Sequence, residues 1–107
     1  MSTFDKREEG FEKKFALDEE QKFKAEARRN RLLGLWAAEK LGITGEAAAA
    51  YAKEVVAADF EEAGDQDVQN KVVKDFAAKG VAIAAQEVRA KMDELMAQAA
   101  AQVKAGT

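Results

Sequence analysis

From Val81 onward a row of apolar residues recurs at Val81, Ala85, Val88, Met92, Leu95, Ala99 and Val103, spaced 4, 3, 4, 3, 4 and 4, with Met96 beside it. Alternating threes and fours mark one face of a helix and exclude the two-residue repeat of a strand. The rest of the chain permits the same reading. It contains no proline, and it is dominated by Ala, Glu, Lys, Gln, Leu and Val, residues that lose little freedom in a helix. A second, shorter stripe runs through Val68, Val72, Val73, Phe76 and Ala77. A third runs through Ala48, Tyr51, Ala52, Val55, Val56, Phe60 and Ala63. The fourth lies in the stretch from Phe23 to Gly42, where Phe23, Ala27, Leu33, Ala37 and Leu41 recur near helical spacing and Leu32, Leu35 and Trp36 widen the face.

Punctuation between these stripes is carried by single glycines and short acidic caps. Asp18-x-x-Gln21 fits a capping box, followed by Glu19 and Glu20 where the helix dipole favours acids. Gly42 is placed to cap the C-terminus of that helix. Gly34, in its middle, suggests a close approach by a neighbouring helix. Ile43-Thr44-Gly45 reads as a turn, Gly64 closes the next helix, and Asp65 or Asp67 caps the third. Gly80 either ends the third helix or kinks a longer one, which would lower the count from four to three. Short links imply antiparallel neighbours. The expected fold is therefore all-α, a small antiparallel four-helix bundle with helices over 18–41, 46–63, 66–79 and 82–104, preceded by a flexible N-terminal arm over 1–17. No repeat of 20–50 residues and no low-complexity linker divides the body, 18–107, into further domains.

The arm is highly charged, with Phe4, Phe11 and Phe15 along one face if it is wound as a helix. Burying three phenylalanines yields about 5–9 kcal/mol gross. Ordering some fifteen backbone residues costs roughly 15–30 kcal/mol, and a helix of that length is marginal alone in water. Gly10 weakens it further. The expectation is an arm that is frayed alone and helical when docked.

Composition removes most catalytic chemistry. With no cysteine and no histidine, thiol nucleophiles, zinc thiolate sites and the commonest general base are excluded. There is no glycine-rich phosphate loop, and no cofactor or metal is expected. The acids Glu61, Glu62, Asp65 and Asp67 read as solvated surface groups plus an N-cap, lacking the spacing of a calcium loop. Net charge is −3, which argues against a nucleic-acid binder. Residues 21–40 nevertheless carry six bases against two acids. Lys24, Arg28 and Arg31 can share one helix face there, and with Arg29 they are the candidate contacts for an acidic partner or an anion. Pairing of Arg28 and Arg31 with the chain's own glutamates is the alternative. Trp36 reads as core, with a partly exposed anchor at the base of the arm as the other reading. No stretch reaches the length of a membrane span, and MSTFDKREEG has no apolar centre, so the chain is expected to be cytoplasmic and not inserted in a membrane.

Particular runs resemble a known family. Arg7-Glu8, Phe11-Glu12-x-Lys14-Phe15, Asp18, Phe23-Lys24-Ala25 and the run from Arg28 to Ala38, RRNRLLGLWAA, are similar to the ATPase inhibitor subunit zeta of alphaproteobacterial F-type ATP synthases. So are the runs AADFEEAG over 57–64 and RAKMDEL over 89–95. The resemblance implies a helical bundle whose N-terminal arm enters a catalytic alpha/beta interface of the ATP synthase head, near the gamma shaft, and blocks rotation in the ATP-hydrolysing direction. It implies that Phe4, Arg7, Glu8, Phe11, Lys14 and Phe15 contact the partner, that the protein is not an enzyme, and that it sits peripherally on the membrane-bound ATP synthase. An alternative that rests on the arginines alone is a small nucleotide- or anion-responsive helical module, with weak nucleotide binding and without strong inhibition.

Overall fold

The computed structural model describes residues 17–59 and 65–106. Four helices make up the described residues: α1, Glu19–Leu41; α2, Gly45–Ala58; α3, Gln66–Ala78; and α4, Ala85–Lys104. They pack as a small all-α bundle, with α1 in contact with each of the other three.

Helix α1 starts and stops as its sequence dictates. The Asp18 carboxylate accepts from the Gln21 N–H at 2.7 Å, and the Gln21 side chain accepts from the Asp18 N–H at 3.2 Å, a complete capping box. At the other end Gly42 adopts φ 76°, a left-handed conformation that would strain any residue with a Cβ. The Ile43 N–H then reaches back to the Ala38 carbonyl at 2.8 Å, and Ile43 packs on the core. The same closure recurs after α3. Gly80 has φ 72°, the Val81 N–H bonds the Phe76 carbonyl at 2.9 Å, and Val81 packs inward. Gly80 therefore breaks the chain between two helices, and the described residues form four helices.

Two helix boundaries differ from the sequence expectation. Residues 82–84 are not helical. Val81 and Ile83 pack against the core from an extended segment, so α4 begins at Ala85 and its buried seam at Val88. Apolar spacing alone did not distinguish a helical turn from a strap laid over the core. Helix α2 ends at Ala58 instead of running to 63; the expected burial of Phe60 and Ala63 lies outside the described residues, as do the arm residues 1–16.

The core is Leu33, Ala37 and Ala38 of α1, Tyr51 and Val55 of α2, Val68, Val72 and Phe76 of α3, and Val88, Met92 and Leu95 of α4. Trp36 is half-buried at its edge, meeting the Phe76 ring edge-on at 5.7 Å between centroids, with Lys91 Nζ 5.7 Å from the indole. Phe23 departs from the expected stripe and is 62% exposed.

Candidate functional site

Along α1 the basic run divides between two faces. Ala25, Arg29 and Leu33 are four apart and share the buried side, so Arg29 is carried inward while Arg28 and Arg31 are not. Arg29 is only 6% exposed. Its Nε donates to Asn30 Oδ1 at 3.0 Å and its guanidinium to Asp65 Oδ2 at 3.2 Å. Arg89 of α4 reaches the same carboxylate oxygen at 2.9 Å and Gln69 Oε1 at 2.7 Å. Gln69 in turn donates to the Ala85 carbonyl at 3.0 Å. One carboxylate at the start of α3 thus ties α1 to α4 through two guanidinium groups. The hydrogen bond from Arg89, with both arginine charges, holds the Asp65 carboxyl below the usual carboxylate range despite partial burial, and Asp65 raises Arg89 in return.

This corrects the reading of Asp65 as a plain N-cap. It occupies that position, but its side chain makes no cap hydrogen bond and pairs through Oδ2 with the two arginines instead. Asp67 is half-buried instead of solvated. Glu61 and Glu62 lie outside the described residues.

The other basic residues meet in a groove of about 590 Å³ lined by Gln21, Phe23, Lys24, Ala27, Arg28 and Arg31 of α1, Val56 of α2, and Val103 and Gly106 at the end of α4. Lys24 pairs with Glu20 at 3.1 Å on an open surface, a contact of low cost to exchange. Arg28 donates to Gln102 Oε1 at 3.3 Å. Arg31 is exposed and enters no ion pair with a glutamate or aspartate among the described residues. Three of the four candidate cations therefore share one apolar-floored groove, and Arg29 belongs to the interior network.

A further polar pair was not singled out from the sequence. The Tyr51 hydroxyl donates to Asp75 Oδ2 at 2.7 Å, and Lys71 reaches the same oxygen at 3.1 Å. Burial, then the carboxylate beside it, pushes the Tyr51 phenol well above its ordinary range. Spacing of Tyr51 on an apolar face predicted burial of its ring; nothing local in sequence pointed to Asp75 as its acceptor. Among the described residues no three His, Cys, Asp or Glu groups gather to hold a metal ion, and no helix is long and apolar enough to cross a membrane.

The family model of ATPase inhibitor subunit zeta matches residues 1–102. The chain belongs to this family. A solved structure, described as a solution NMR structure of the protein, is 56% identical to this chain, covers 79% of it and 96% of its own length, and superposes with a TM-score of 0.69. Comparison with curated proteins gives no match. The family match covers residues 1–16 as well as nearly all of the four described helices.

Proposed function

We propose that this protein is an inhibitory subunit of an F-type ATP synthase, and that residues 1–17 are the inhibitory arm while 18–107 form the body that carries it. The observation that carries this reading is the family match, which includes the arm. In the proposed mechanism the arm becomes helical in a catalytic alpha/beta interface near the gamma shaft. Phe4, Phe11 and Phe15 supply the apolar face, and Arg7, Glu8 and Lys14 supply polar contacts. A helix of about fifteen residues is roughly 22 Å long, enough to wedge an interface that must open and close in each cycle. The energetic requirement is that the arm binds one rotational state better than the others.

The body contributes in two ways. It raises the local concentration of the arm once docked on the head. It also supplies a preformed helix end, because α1 begins at the Asp18 capping box directly after the arm. Losing that box on docking would let α1 extend backwards through Phe15 into one long helix. The protein acts as a wedge, not a catalyst, and sits peripherally on the membrane-bound enzyme.

Replacing Phe4, Phe11 and Phe15 together by alanine tests the assignment. ATP hydrolysis by the cognate head should become markedly less sensitive to the protein, while the melting curve read from Trp36 fluorescence stays unchanged. Undiminished inhibition by that variant would remove the arm assignment.

A further inference from the structure

We propose that the groove beside α1 is the docking site of this chain's own N-terminal arm, which folds back along α1 and is held there until the ATP synthase takes it. The inference rests on the proposed inhibitory role of the arm and adds a latent state to it.

Three features of the groove point to this occupant. Phe23 stands 62% exposed at its edge, beside a floor made by Ala27, Val56 and Val103. An aromatic ring left open beside an apolar floor is an incomplete cluster that one more apolar helix face completes. The cations are one-sided: Lys24, Arg28 and Arg31 all come from α1, while α2 and α4 present valines. Position is the third feature. The arm joins α1 at Asp18, one turn from Gln21 and Phe23 at the mouth of the groove, so a turn at that junction lays the preceding residues along it.

The arm sequence has the matching pattern. Wound as a helix, at about 100° per residue, Phe4, Phe11 and Phe15 fall within about 40° of one another. Asp5, Glu8, Glu9 and Glu12 then all lie on one flank of that stripe, and Arg7 and Lys14 on the other. One acidic flank beside a phenylalanine stripe suits a groove with one basic wall and an apolar floor. The lengths agree as well. Residues 21 to 31 of α1 span about 15 Å, and residues 4 to 15 as a helix span about 17 Å.

Docking is weak by construction. Gly10 lowers the helix propensity of the arm, Lys24 must leave Glu20, and the site is open to solvent. A weak internal contact suits a latch. While the arm is docked, the phenylalanines proposed to enter the ATP synthase are covered, and apparent affinity for the enzyme falls by the fraction of arm that is free.

The chain has no cysteine, so Thr3→Cys places a single spin label on the arm of the full-length protein. The expected result is a graded loss of amide signal, strongest at Ala27, Arg31 and Val56 and weaker at Leu41 and Ile43, about 15–18 Å further along the chain from Arg31. Arg31→Glu, at an exposed position, should restore the lost signals and make the protein a more potent inhibitor of ATP hydrolysis. Phe23→Ala should restore them in part. Signal loss at Arg31 and Val56 no greater than at Ile43 in the labelled wild type would overturn the proposal, as would broadening that arises only between molecules when labelled and unlabelled chains are mixed, because the occupant would then be a second copy. The label experiment contains no ATP synthase. Its failure leaves the inhibitory reading standing, whereas selective broadening without any inhibition by wild type or Arg31→Glu would count against that reading alone.

Discussion

Gly34 and Ala52 bring α1 and α2 together so closely that a Cβ on Gly34 would lie 2.6 Å from the Ala52 Cα and 3.3 Å from the Val55 Cβ. The nearest atom is backbone, so no side-chain rotation relieves the contact. Gly34→Ala gains about 1 kcal/mol of helix propensity but forces two helices apart, and overpacking of this kind costs about 1–3 kcal/mol, here at the upper end because main chain must move. The expected net loss is about 1–2 kcal/mol, a fall in Tm of roughly 5–10 °C. Thermal melts read from the only tryptophan, Trp36, check it; an unchanged or raised Tm would show that the helices separate at little cost.

Asp65 is the single carboxylate that Arg29 and Arg89 share. Replacing it by asparagine leaves the nearly buried Arg29 without its counter-charge. Breaking a fully buried pair costs about 3–5 kcal/mol. The Asp65 side chain is 34% exposed, so water recovers part of that, and about 2 kcal/mol is expected. The pH dependence has a fixed sign. The Asp65 pKa is lowered in the folded protein, so its contribution is complete above the ordinary value of 3.8 and is lost as pH falls through the lower folded value. Denaturant titrations of wild type and Asp65→Asn should therefore differ by a constant amount from neutral pH down to about the ordinary carboxylate range, and converge only in stronger acid.

Tyr51 gives a prediction at the alkaline end. It is the only tyrosine, its hydroxyl is bound to Asp75, and its pKa is raised by burial first and by that carboxylate second. A raised folded pKa means stability that is complete below the ordinary value of 10.0 and lost as pH rises above it. Phenolate absorbance should stay low through the normal tyrosine range and rise together with loss of helical circular dichroism. Ionisation near the ordinary value with the helices intact would contradict the buried hydrogen bond. Asp75→Asn should keep the burial and lower the pH at which both signals change.

These cases also show what the sequence carries and what it does not. The Asp18–Gln21 box and the Gly42 terminus depend on residues within a few positions of one another, and both form as their sequence predicts. The close approach at Gly34 was legible because a mid-helix glycine has few other uses. The roles of Asp65 and Tyr51 were not, since each depends on partners 24 or more residues away. Arg29 is intermediate. Its position four residues after Ala25 and four before Leu33 marks the buried face, but the neighbouring Arg28 and Arg31 make the run read as one basic surface. Phe23 was misplaced for the converse reason: with Ala27 it lies on the flank of α1 that lines the groove, while Leu33, Ala37 and Leu41 of the same approximate stripe pack on the core.

The central claim is that the first seventeen residues stop ATP hydrolysis and the bundle delivers them. It is tested most directly by measuring ATP hydrolysis by the cognate ATP synthase head as a function of added full-length protein and of the chain that begins at Asp18. The account predicts that the full-length chain inhibits and that the shortened chain, with its helical content retained, does not. Equal inhibition by the two would contradict it.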